Sequence, residues 1–211
     1  VPFATYAELA STVTSWLDRS DLSAQVPDFI RIAEATLSRR LRVGDMAFGV
    51  GAVTTVGDRI IVPTDFREIY ALQFTESQAT PTYLPATVFS RLKAGTVGVP
   101  KYFTYHLGGD DGGPDSQYHI HLWPEPGIDV GYGLFYYHAI PTLSDAAPSN
   151  WLLRKHPDLY LFGALLEAEP FLVNDARVTL WQGRVDKAIA QVNGNDRRMR
   201  SSGGQNRMVL T

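Results

Sequence analysis

Helical periodicity is confined to the two ends of this chain, with a strand-like stretch between them, and that separation constrains the fold more than any other feature. At the start, Thr5 and Glu8 have the spacing of a capping box, and Leu9, Val13, Trp16 and Leu17 make one apolar face. They predict a helix over Thr5–Asp18 with Trp16 buried. A second helix is expected over Pro27–Leu41, with Phe29, Ile30, Ala33, Leu37 and Leu41 inward and Arg31, Glu34, Arg39 and Arg40 outward. Near the other end, Trp151–Glu169 carries a broad apolar face of Leu152, Leu159, Phe162, Leu165 and Leu166, within which Pro157 either kinks the helix or marks its true first turn. The final helix, Asp175–Asn193, places Val178, Trp181, Val185, Ala188, Ile189 and Val192 at helical spacing, and Gly194 ends it. Each pair alone would leave an apolar face in water, so the two pairs are expected to pack as one bundle with Trp181 buried.

Between the pairs the period drops to two. Gly57-Asp58 separates the apolar stretch ending at Val56 from Arg59-Ile60-Ile61-Val62, and the simplest reading is a hairpin closed by Pro63. Ile69–Phe74 is a further strand, and Pro85–Lys93 a short helix with Val88, Phe89 and Leu92 inward. Tyr102–Leu107 and Tyr118–Trp123 flank a Gly- and Asp-rich loop over Gly108–Asp115, and Val130–Ile140 is the last strand. The connections are too short for repeated helical crossovers, which makes the sheet antiparallel. The expected fold class is therefore α+β: N- and C-terminal helices of a bundle (1–46 and 149–194), an inserted small antiparallel β domain (47–148) and an extended C-terminal tail (195–211).

Composition narrows the function classes. A chain of 211 residues buries roughly 70% of its unfolded surface, enough for one full core or two small layers. It has no cysteine, which removes disulfides, Cys-ligated zinc and thiol nucleophiles together, and suits a reducing compartment. A net charge of -3 argues against a surface built wholly for nucleic-acid phosphate. No apolar run has bilayer-spanning length and no basic-then-apolar leader follows Val1-Pro2-Phe3, so the chain is expected to be neither embedded in a membrane nor exported by a visible signal. A soluble structural subunit of an intracellular assembly fits these bounds.

His119 and His121, at i and i+2 on a strand, face one side and would give a metal enzyme two ligands; His106 and His138 lie on other strands, while Tyr118, Ile120 and Leu122 alternate as a core stripe. The loop from Gly109 to Asp115 has oxygen donors but lacks the spacing and terminal Glu of a calcium helix-loop-helix. No nucleophile elbow, zinc-protease or P-loop motif occurs, and the acid pairs Asp65/Glu68 and Glu167/Glu169 read as caps and solvated helix faces. Trp123, Tyr132, Tyr136 and Tyr137 suit either a monomeric ligand-binding β module or plain sheet core. No catalytic, cofactor or metal residue is assigned. The tail is different in kind: Arg197, Arg198, Arg200 and Arg207 with the apolar Met208, Val209 and Leu210 make a segment that can order against an acidic, grooved partner.

One stretch carries a resemblance. Asn150-Trp151-Leu152-Leu153-Arg154-Lys155-His156-Pro157-Asp158-Leu159-Tyr160-Leu161-Phe162-Gly163-Ala164-Leu165-Leu166-Glu167-Ala168 resembles the C-terminal helical signature of the tailed-phage head-to-tail adaptor (connector, head completion) proteins. The similarity extends to Asp175-Ala176-Arg177, Trp181, Asn193-Gly194-Asn195-Asp196-Arg197-Arg198, Tyr6-Ala7-Glu8-Leu9, Trp16-Leu17-Asp18-Arg19, Pro27-Asp28-Phe29-Ile30, Ala33-Glu34 and Pro63-Thr64-Asp65-Phe66-Arg67-Glu68. It is loosest over 78–117. The resemblance implies a homo-oligomeric ring, commonly dodecameric, under the capsid portal protein and above a tail or nozzle protein, with genomic double-stranded DNA passing through its lumen. It also implies a place in the virion neck after assembly in the host bacterial cytoplasm, no cofactor, and structural roles for Asp158, Tyr160 and Glu167. The portal-docking residues would be Arg197, Arg198, Arg200, Arg207, Met208, Val209 and Leu210.

Overall fold

The computed structural model describes residues 3–77, 80–107, 118–172 and 175–202. In chain order the elements are helices α1 (Tyr6–Leu17) and α2 (Val26–Arg40), strands β1 (Ala47–Thr54), β2 (Arg59–Ile61), β3 (Phe66–Phe74) and β4 (Thr82–Tyr83), the short helix α3 (Ala86–Phe89), strands β5 (Tyr102–Leu107), β6 (Tyr118–Trp123) and β7 (Gly131–His138), and helices α4 (Trp151–Lys155), α5 (Pro157–Leu172) and α6 (Asp175–Ser202). The fold is α+β, and it divides into a helical unit, Val1–Asp45 with Ile140–Thr211, and a β unit, Met46–Ala139.

In the helical unit the capping box closes α1: Thr5 Oγ1 accepts the Glu8 N–H at 3.3 Å and Glu8 Oε2 accepts the Thr5 N–H at 3.2 Å. Leu9, Val13 and Leu17 are buried below it. Trp16 is not; it stays 48% exposed at the flank of that stripe, with its ring 6.1 Å from that of the buried Trp181. Phe29, Ile30, Ala33, Leu37 and Leu41 are all buried along α2, and Pro157 opens α5 as a separate helix after α4. α5 is the centre of the unit and packs against α1, α2, α4 and α6. It is buried nearly all round, through Leu159, Leu161, Ala164, Leu165 and Ala168 among others, as a helix without a continuous polar face must be. Gly163 lets α2 close on it, because a Cβ there would lie 3.1 Å from Ala33 Cβ.

Two carboxylates overturn the sequence expectation. Glu34, assigned to the outer face of α2, is buried, and so is Glu169, assigned to a solvated face of α5. Glu34 Oε1 accepts the Tyr160 hydroxyl at 2.7 Å and the Leu143 N–H at 3.1 Å. Asn150 joins them: its Nδ2 donates to Tyr160 Oη at 2.6 Å and to the Pro141 carbonyl at 2.7 Å, while its Oδ1 caps α4 by accepting the Leu153 N–H at 2.9 Å. Glu169 accepts the Trp181 indole N–H at 2.8 Å and pairs with Arg177 at 3.0 Å. Such partners are what permit charge in a core.

The β unit is two sheets around one core. Strand order is β1-β7-β3 in one and β2-β6-β5-β4 in the other, with every pairing antiparallel except β4 with β5. Ile60, Leu72, Ile120, Leu122 and Leu134 from both sheets fill the space between, and the Ile69 N–H donates to Tyr105 Oη at 3.4 Å across it. The turn at Gly57-Asp58 does form, with Val56 and Arg59 exchanging backbone bonds of 2.9 and 3.1 Å and Gly57 at φ +60°. Its arms do not continue as a hairpin. β1 pairs with β7 and β2 with β6, because the Thr55 N–H donates to the Val130 carbonyl at 3.0 Å and Thr55 Oγ1 accepts the Val130 N–H at 3.2 Å, turning the chain from one sheet into the other. The short helix is confined to α3, with Val88 exposed rather than inward. The loop expected over Gly108–Asp115 lies outside the described residues.

Substitutions at two positions test this packing. Gly163→Val should cost about 1–3 kcal/mol in denaturant unfolding, through overpacking against Ala33. Burial raises the Glu34 pKa, opposed by the bonds from Tyr160 and Leu143 and by the Arg31 charge. A carboxyl that holds its proton more tightly when folded contributes fully below its unfolded pKa and loses that contribution as pH rises through the folded value. Glu34→Gln should therefore gain stability relative to the wild type as pH rises from about 4 to 7. Glu34→Ala, which strands the Tyr160 hydroxyl and Leu143 N–H, should cost about 2–4 kcal/mol at pH 7 by the same unfolding measurement.

Candidate functional site

The C-terminal end of α6 holds the described part of the expected docking segment. The helix does not stop at Gly194; it runs to Ser202, so Asn195–Ser202 are helical instead of an extended tail. Glycine in a helix costs only about 1 kcal/mol against alanine, and the residues around Gly194 replace that with tertiary bonds. Asn193 Oδ1 accepts the Arg42 N–H at 3.3 Å and its Nδ2 donates to the Arg40 carbonyl at 3.4 Å. Asp196 Oδ1 accepts the Gly44 N–H at 2.6 Å, and Arg40 pairs with Asp186 at 2.6 Å. The last turns of α6 are thus fastened to the segment that follows α2.

On this end the three described arginines differ. Arg200 pairs with Asp196 one turn back at 2.7 Å, which offsets its charge, and Arg198 donates to Asn195 at 2.5 Å. Arg197 is exposed. Beside them a groove of about 480 Å³ is lined by Val43, Asp45, Lys155, His156, Val192, Asp196, Arg198 and Met199. Lys155 is hydrogen-bonded to Asp45 across it, and burial holds the His156 pKa below the ordinary value. Arg207, Met208, Val209 and Leu210 lie outside the described residues.

The other candidates fall into structural positions. His119 and His121 share one face of β6, opposite the buried Ile120 and Leu122, and His121 Nδ1 lies 3.5 Å from Asp58 Oδ2. No group of three or more His, Cys, Asp or Glu side chains arranged to hold a metal occurs among the described residues. Tyr132, Tyr136 and Tyr137 are buried, so they form no exposed platform; Trp123 stacks on Tyr102 and donates its indole N–H to the Lys93 carbonyl at 3.0 Å. Tyr136 donates to Asp65 Oδ1 at 3.1 Å, and burial together with that carboxylate pushes its pKa up to about 12. Tyr160, one of the signature positions, serves the buried network with Glu34 and Asn150. Sequence reasoning missed the anchors Asn193 and Asp196. Their signal was a polar Asn-Gly-Asn-Asp run that looks the same whether it ends a helix or fastens one. Among the described residues no helix is long and apolar enough to cross a membrane.

Helices from both ends of the chain in one unit, interrupted by an antiparallel β unit, fit a structural adaptor subunit. The family model described as SU10 adaptor protein matches residues 4–208, and the chain belongs to that family of bacteriophage head-to-tail adaptors. No curated protein matches the chain.

Asp196→Ala should loosen the end of α6 selectively. The amides of 195–202 should exchange about tenfold faster, corresponding to about 1.4 kcal/mol for the charge-assisted bond to Gly44, the exposed pair with Arg200 adding little, while those near the buried Val185 and Ile189 are unchanged.

Proposed function

We propose that this adaptor forms a ring, dodecameric in the assembled neck, that joins the capsid portal to the tail and lets the double-stranded genome pass through its lumen. The observation that carries the reading is the match of an adaptor family across residues 4–208. The net charge of -3 supports it, because a conduit with a basic wall would hold phosphate, whereas an acidic subunit lets it pass. The ring assembles in the host cytoplasm, takes the portal on one side and a tail or nozzle protein on the other, and performs no chemistry of its own.

Portal attachment falls to the end of α6 and the residues that follow it. Arg197 and Arg198 offer donors to an acidic surface, with Arg207 further on, and Met208, Val209 and Leu210 supply the apolar contact that exposed charge alone does not replace. Because Asp196 fastens α6 to Gly44, the informative truncation falls after Ser202, beyond that anchor. A chain ending at Ser202 should keep its circular dichroism spectrum and thermal transition yet lose co-sedimentation with isolated portal rings at about 0.15 M salt. Arg197→Glu with Arg198→Glu should weaken the same binding. Unchanged affinity in the folded truncation would move attachment to another surface, and imaging of the neck at a symmetry other than twelvefold would correct the copy number.

A further inference from the structure

The groove beside the end of α6 adjoins the residues that would meet the portal. It holds about 480 Å³, and its lining includes the buried Val43 and Val192 and two carboxylates, Asp45 and Asp196. Asp196 accepts the Gly44 N–H and pairs with Arg200, and Asp45 is bonded to Lys155. A carboxylate has about four lone-pair sites, so either acid can take a further donor. Directly after the last described turn of α6 the sequence continues Gly203-Gly204-Gln205-Asn206-Arg207-Met208-Val209-Leu210. Glycine adopts, without steric cost, the left-handed backbone that reverses a chain at a helix end.

Reach then decides what would lie beside what. An extended chain advances about 3.3 Å per residue, whereas a helix rises about 1.5 Å. A segment turned back along α6 from Gly204 therefore passes about two helical residues for each of its own. On that scale Arg207 falls level with Asp196, and Met208 falls level with Gly194, between Val192 and Asn195. A base meets an acid of the groove, and the apolar run that follows meets its apolar lining. We infer that the groove seats the chain's own residues 205–210 in the free subunit, covering the docking residues until the portal displaces them; the covering role rests on the portal reading above. A second copy or another partner competes poorly for this seat, because a linker this short supplies an effective concentration on the order of millimolar.

The absence of cysteine lets two introduced thiols report the seat. Asn195→Cys lies in the groove. Arg197→Cys, two residues on, lies about 200° around the helix at nearly the same height, on the opposite face. Each is combined with Met208→Cys in the full free chain, and disulfide formation is followed in oxidised glutathione, with mass separating products within one chain from those between two. The expected result is a disulfide within one chain at least tenfold faster for the 195/208 pair than for the 197/208 pair, both variants keeping the wild-type circular dichroism spectrum. Equal rates, or a faster 197/208 pair, overturn the inference. A disulfide between two chains overturns it by naming a second copy as the occupant. The 195/208 variant, oxidised and then reduced, is next offered to isolated portal rings at about 0.15 M salt. The oxidised chain should bind at least tenfold more weakly than the reduced one, and equal binding overturns the covering role. A wild-type chain that does not bind removes the portal reading instead, and the disulfide rates still decide the seat.

Discussion

The hydroxyl of Tyr160 is the interaction on which the helical unit depends. It lies on the central helix, fully buried, donating to Glu34 on α2 and accepting from Asn150 at the start of α4. A phenol in such a place must have partners, since an unpaired buried polar group costs about 1–3 kcal/mol. Those partners do more than satisfy it. Glu34 also holds the Leu143 N–H and Asn150 also holds the Pro141 carbonyl, so the segment by which the chain returns from the β unit is hydrogen-bonded at both points to the group that organises the helices. Ser38 adds a bond from the Ile140 N–H at 3.4 Å, and the Pro148 carbonyl accepts the Tyr6 N–H at 2.7 Å.

The outgoing segment is held by the same means on a different helix. Asn193 and Asp196 of α6 take the N–H groups of Arg42 and Gly44. A helical unit assembled from the two ends of a chain faces the entropy of closing a long loop, and side chains from α2, α5, α4 and α6 meet the crossing segments where each leaves or joins the helices. Burying Glu34 in this role is weak support for stability, because desolvation opposes the bonds it makes, but a carboxylate that accepts two specific donors fixes one register of α2 against α5 and the returning segment at Leu143.

How much of this was legible follows from what each signal measures. Periodicity reports where apolar side chains sit, and it placed the inward residues of α2 and the stripe of α6, while Pro157 left open a kink or a first turn and the structure makes it the first turn of α5. It scores every carboxylate as outward, so it misassigned Glu34 and Glu169, whose burial depends on Tyr160, Trp181 and Arg177 brought from elsewhere in the chain. It counted Trp16 as core because the ring is apolar, although the buried stripe of α1 is complete with Leu9, Val13 and Leu17. Turn chemistry is local, which is why Gly57-Asp58 gave the turn but not the separation of its arms, decided by Val130 far along the chain. For Gly194 the same limit applied: helix breaking is a local tendency of about 1 kcal/mol, and Asn193 and Asp196 outweigh it with bonds to a segment some 150 residues earlier.

The two units also handle polar backbone in opposite ways, and that difference bears on how an adaptor works. In the helical unit the ends of helices and crossing segments are met by side chains from within the chain, and α6 continues as helix to Ser202. Residues that are already helical lose less conformational entropy on any contact than a wholly extended segment would. Among the described residues of the β unit β1 pairs with β7 alone, and from Ala47 to Val56 it carries no charge and no proline. Side chains that satisfy backbone groups from within hold the helical unit to one arrangement of its crossing segments, which is what a structural adaptor subunit requires of its body.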